Sequence, residues 1–297
     1  MKKRNLVKKA LLPAVIAVVC SIVALTSVSY AWFTMGNTAS VESIDVNVQA
    51  ADGVQISADA VSWKSILPVA ELKAQTSNQF PAADGKILPV SSVGNVVNGK
   101  QEMFIGEVQE DGKTLVTTKE SEVQTGGNFI AFDFYVSLTT TKEFYLDAGS
   151  TVVALTGAEK NTQYAVRVSF INLGTADLAA DAPALGNAYN GAADYVWEPN
   201  STSHIPGVAS GKLDYYGVKV ENANGFNKDA TDDADNLAKV TTIDPAGAAQ
   251  KLFDLGAGYT KIRVYIWLEG QDADCLNDIS GGGFQVNLNF KTEDPSA

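Results

Sequence analysis

In this chain of 297 residues, only His204 and the cysteines Cys20 and Cys275 have side chains whose ordinary chemistry suits proton or nucleophile work near neutral pH. A single histidine removes the HExxH pattern of zinc hydrolases, and a Ser-His-Asp triad would have to be built on His204. That residue sits in a loop-like SHIPG context and reads as an ordinary surface side chain. Neither a GxSxG elbow nor a GxxxxGK[ST] phosphate loop is present. Cys275 has no histidine near it in sequence and reads as a buried, inert thiol. A hydrolase would therefore have to depend on His204 or on the pair Asp272 and Asp274, and no enzymatic activity is expected.

Metal ligation has two weak candidates. Residues 228–236 (KDATDDADN) are acidic but lack the glycine and terminal glutamate of an EF-hand loop. Asp272 and Asp274, in GQDADC, have the i, i+2 spacing at which two carboxylates could share a cation. Such runs are more often solvated turns, so neither a metal nor a cofactor is expected. Trp63, Trp197 and Trp267 could line a sugar-binding face, although core or edge packing is the commoner fate of tryptophan.

The elements that must position these groups read as strands. Ile44, Val46 and Val48 alternate with Asp45, Asn47 and Gln49. NFIAFDFYVSL places Ile130, Phe132, Phe134, Val136 and Leu138 on one face, with Asp133 and Ser137 opposite. YAVRVSF aligns Tyr164, Val166, Val168 and Phe170. KIRVYIWLEG sets Ile262, Val264, Ile266 and Leu268 against Arg263, Tyr265, Trp267 and Glu269. FQVNLNF sets Phe284, Val286, Leu288 and Phe290 against Gln285, Asn287 and Asn289. One-sided strands of this kind imply an all-β chain of antiparallel sheets packed face to face, a sandwich or jelly roll. One or two short helices are expected, near Ala180 and over residues 245–253. Residues 74–127 and 172–238 read as insertions, long loops or small subsheets, the first with turn signals at Asp84-Gly85, Asn98-Gly99 and Asp111-Gly112.

The N-terminus has the three parts of a secretory leader. MKKRNLVKK is basic, the following run is apolar, and Ser29 and Ala31 offer small residues to a signal peptidase that would cut before Trp32. Residues 10–31 are also just long enough to span a bilayer uncut. Val18 and Val19 disfavour Cys20 as a lipoprotein acceptor, and no type IV pilin glycine and glutamate flank the run. Residues 1–31 hold five of the 22 bases and none of the 34 acids, so the remainder carries 17 bases against 34 acids. A body this acidic repels phosphate backbones, and nucleic acid is not an expected partner. With only Cys275 left after cleavage, no internal disulfide can form. The C-terminal FKTEDPSA carries no sortase motif followed by an apolar tail, so the expectation is a secreted chain with membrane contact only before cleavage.

The leader running into SYAWFT, the strand VESIDVNV leading to GVQISADAVSW, and AVRVSF with YIWLEGQDADC together resemble secreted Gram-positive proteins related to TasA and camelysin. The resemblance covers over half the chain and leaves residues 74–127 and 172–238 aside. It implies a signal peptide (residues 1–31) handled by a dedicated signal peptidase and a jelly-roll β-sandwich over residues 41–297. It also implies an N-terminal extension (residues 32–40) that completes a sheet of the next subunit. Such a head-to-tail contact gives open filaments of a biofilm matrix or pilus-like kind. Carried onto this sequence, the assembly strand holds Trp32, Phe33, Thr34 and Met35, and Gly36 marks a bend or bulge. The implied partners are identical or related subunits and accessory matrix proteins. Camelysin's proteolysis is not carried over to a chain with one histidine. The alternative is a monomeric cell-surface adhesion or glycan-binding module that uses loops of the two insertions.

Overall fold

A computed structural model describes residues 46–50, 54–82, 87–108, 115–200, 241–270, 272, 274–275 and 279–295. The leader with Ser29 and Ala31, the extension with Trp32, Phe33, Thr34 and Met35, the acidic run 228–236, and His204 lie outside the described residues.

Along the chain come β1 (Val46–Ala50), β2 (Gln55–Ser57), β3 (Ile66–Leu67) and a one-turn helix α1 (Val69–Lys73). Then follow β4 (Asn95–Val97), β5 (Lys100–Gln101), β6 (Met103–Val108), β7 (Leu115–Glu120) and β8 (Ile130–Leu138). The middle holds β9 (Lys142–Leu146), β10 (Thr151–Ala154), β11 (Val166–Ala176), β12 (Gly191–Ala192) and β13 (Tyr195–Trp197). The last strands are β14 (Thr241–Ile243), β15 (Gln250–Leu255), β16 (Gly258–Leu268) and β17 (Phe284–Glu293). Short 3-10 turns occupy Thr162–Ala165 and Ala179–Ala184.

The chain is mostly β, and its sheets are largely antiparallel. The first sheet runs β15-β9-β17-β1-β3, with β10 also on β17; the second runs β14-β13-β11-β16-β8-β2. Two pairings depart from the antiparallel expectation: β1 runs parallel to β17, and β13 parallel to β14. The inward residues of both sheets meet in one core. Phe290 of β17 stacks on Phe134 at 5.2 Å and Phe144 at 5.0 Å, and meets Phe170 edge-on at 6.1 Å. Burying one such ring contributes roughly 1.5–3 kcal/mol, so this four-ring knot is a main tie between the sheets.

The alternation in β17 holds as read: Phe284, Val286, Leu288 and Phe290 are buried, and Gln285, Asn287 and Asn289 only partly so. For β8, β11 and β16 the reading of a solvated face is corrected. Asp133, Arg167, Arg263, Tyr265, Trp267 and Glu269, all on the outward side, are buried as deeply as their apolar neighbours. A third layer covers Tyr265 and Trp267, while Glu198 and Asp272 lie against Arg167. The small sheet β12-β4-β5 and the hairpin β6-β7 come largely from residues 87–120. With Phe129, Ala131, Ile171, Tyr265 and Trp267, side chains such as Val90, Val96 and Met103 make a second core.

Two smaller expectations also change. Residues 245–253 form no helix: β15 pairs with β9 there, through a register shift that leaves both Leu252 and Phe253 buried. The short helix expected near Ala180 is present as a 3-10 helix, Ala179–Ala184. Tyr164 belongs to the 3-10 turn before β11 rather than to the strand. Among the described residues, no helix is long and apolar enough to cross a membrane.

Candidate functional site

The outward face of β8 and β16 carries a chain of charges, buried except at its Lys100 end, and its origin is the strand register. Antiparallel pairing sets Arg263 directly opposite Asp133. Arg263 Nη1 donates to Asp133 Oδ1 at 2.8 Å, and its Nη2 donates to Glu122 Oε2 at 2.6 Å. Lys261 lies two residues earlier on the same face of β16. Its Nζ is 3.3 Å from Asp133 Oδ2 and donates to the carbonyls of Pro183 (3.0 Å) and Leu185 (3.2 Å). At the other end, Lys100 Nζ meets Glu122 Oε2 at 2.9 Å. The order is Lys261, Asp133, Arg263, Glu122, Lys100: three cations alternating with two carboxylates.

Tyr265 closes this network. Its hydroxyl accepts from Arg263 Nε (3.0 Å) and from the Gln101 backbone N–H (2.9 Å), and it donates to Glu122 Oε1. Burial, joined by the Glu122 carboxylate and opposed by Arg263, pushes this hydroxyl well above the ordinary tyrosine range. It therefore stays a donor at any physiological pH. Among buried charges, removing one partner is far more costly than the pair is stabilising, which makes the network a strict positioning device.

Two adjoining cavities open beside the chain. One, of about 160 Å³, is lined by Asp133, Lys261 and Arg263 together with Leu173 and Leu185. The other, of about 290 Å³, lies between Val97, Lys119 and Glu122. Asn98 and Lys100 line both. The rim is an Asn-Gly hairpin turn with positive φ at both central residues, Asn98 (51°) and Gly99 (72°), as a type I′ turn requires. This turn reaches the second inserted region directly. Gly99 N donates to Tyr189 O at 2.8 Å, Asn98 N donates to Asn190 Oδ1 at 3.0 Å, and a Cβ on Gly99 would lie 2.4 Å from Gly186 O. The two segments read as insertions thus meet over β8 and β16 and enclose the cleft.

Asp272 and Asp274 lie elsewhere, in the loop after β16, and both are buried. Asp272 Oδ2 is 2.6 Å from Arg167 Nη2, which also meets Glu198 Oε1 at 3.0 Å; Asp272 Oδ1 accepts the Asp274 N–H at 2.7 Å. Trp267 Nε1 donates to Glu269 Oε2 at 3.0 Å beside them. The run is a buried anchor on a guanidinium, not a solvated turn. Among the described residues, no three His, Cys, Asp or Glu side chains converge on a metal position. Cys275 ends this loop fully buried; desolvation first, then the Asp272 and Glu269 carboxylates, raises its thiol well above the usual range.

The three tryptophans do not share a face. Trp197 is in the main core, Trp267 in the second core, and half-buried Trp63 packs on Tyr259 at 5.3 Å.

The chain matches no family model, no curated protein and no solved structure. Its site must be read from its own geometry. That geometry centres on Asp133, Arg263, Lys261, Glu122 and Lys100, which sequence reasoning passed over. The available signal was a charge on each of two otherwise apolar strands, at positions that antiparallel pairing sets opposite one another.

Proposed function

We propose that this chain is a secreted, non-enzymatic structural protein that assembles into or decorates extracellular fibres. In this reading the leader is cut before Trp32. The freed extension, residues 32–40, then adds as a strand to the next subunit, with Trp32, Phe33 and Met35 filling pockets. Main-chain hydrogen bonds would give the contact its affinity and the side chains its register. The body would be a sandwich of jelly-roll type, and the contact, being head-to-tail, would propagate.

The observation that carries the reading is the position of β1. The first described strand lies inside the first sheet, parallel to β17 and with β3 on its other edge at Val48 and Gln49 alone. In this reading β1, held between β17 and β3, is the fixed root from which residues 32–40 would be offered to a neighbour. Burial of Trp32 and Phe33 in that neighbour would also remove a solubility liability that cleavage creates. A chain beginning at residue 41 is expected to stay folded and to sediment as a monomer. Filaments of normal length from it would overturn the proposal.

A further inference from the structure

We propose that the cleft over β8 and β16 is a binding site for one ring of a neutral, hydroxyl-rich saccharide. The inference does not depend on fibre assembly.

The lining excludes other ligand classes by charge. Lys261, Arg263 and Lys100 are each already within 3.3 Å of a carboxylate of Asp133 or Glu122. At Lys261 and Arg263 an anion would have to displace a carboxylate, and breaking a buried pair is strongly unfavourable. A cation would face the same three positive groups. A neutral ligand disturbs none of them.

The polar groups are also of the right kinds. Asp133 Oδ2 is buried and accepts no hydrogen bond, its contact with Lys261 being an ion pair alone. A hydroxyl donor reaching this oxygen would add a hydrogen bond to its ion pair with Lys261. Asn98 and Asn187 present amides that both donate and accept, and Lys100 presents an exposed ammonium that donates. Leu173 and Leu185 also line the cavity. A pyranose can use both kinds of lining, with hydroxyls at its edge and C–H groups on its face. The adjoining 290 Å³ cavity, reached past Lys100, leaves room for a linked unit.

The test uses the chain beginning at residue 41, expected to stay monomeric, with uniform nitrogen-15 labelling, titrated with glucose, galactose, mannose and N-acetylglucosamine, and in separate arms with glucuronate and sulfate. At least one neutral sugar is expected to shift the amide resonances of Asn98, Gly99 and Gly186. Lys100→Ala and Asn187→Ala, both at exposed positions, are expected to keep the native spectrum and weaken binding roughly tenfold, the worth of one good hydrogen bond. No shift at millimolar sugar overturns the proposal, as does unchanged affinity in both variants. A stronger response to sulfate or glucuronate than to every neutral sugar overturns the assigned ligand class.

Discussion

At the scale of single residues, the strongest constraints are charges without water. Arg167 is fully buried and meets both Glu198 and Asp272 through one nitrogen. Asp272→Ala leaves that guanidinium half-compensated in a low dielectric. The expected loss is about 3 kcal/mol in chemical denaturation, the lower end for a broken buried pair because Glu198 remains. The neighbouring Cys275 thiol is both inaccessible and held protonated. It should resist a thiol reagent in the native chain and react at once in denaturant, whereas rapid native labelling would contradict the packing of this loop. Asp59 behaves in the opposite sense. Burial tends to raise its pKa, but the N–H groups of Ser62 and Val61 and the hydroxyls of Ser57 and Ser62 outweigh that and hold it at about 2. The unfolded carboxyl titrates near roughly 3.9. Folding is therefore favoured above that pH, and the contribution is lost as pH falls through about 2. Melting temperatures measured from pH 5 to pH 2 should fall less steeply for Asp59→Asn than for the parent.

At the scale of elements, the difference between β17 and β16 explains how far the sequence could be read. In β17 the face carrying Gln285, Asn287 and Asn289 stays partly in water, so polarity and burial agree and the alternation is legible. In β16 the outward face holds Arg263 and Tyr265, which look solvated by type yet are buried. Their cover includes Ser77, Gln101, Glu122 and Phe129, distant in sequence, and nothing local signals it. The β15 segment misleads for a related reason. Its run of Ala and Leu favours a helix, but pairing with β9 and burial of Leu252, Phe253 and Leu255 override propensity. The Asn98-Gly99 turn, by contrast, is fully legible, because only such residues accept positive φ in succession. Gly99→Ala would strain the backbone and drive a Cβ into Gly186 O. A loss of 1–3 kcal/mol is expected, about that of other strained backbone positions, along with resonance changes at Tyr189 and Asn190. An unperturbed spectrum would contradict the docking of the two inserted regions.

At the scale of the whole molecule, the described residues form two sheets around a phenylalanine core, with a third layer that turns one sheet into a buried platform. The platform fixes the polar cleft on the second sheet, and β1 belongs to the first. Loss of one proposed function therefore need not carry the other with it. The central claim concerns the N-terminus: that Trp32 and Phe33 end in a neighbour's sheet. Negative-stain electron microscopy of the chain beginning at Trp32, over rising protein concentration, tests it most directly. Unbranched filaments that lengthen with concentration are predicted; single particles at every concentration would contradict it.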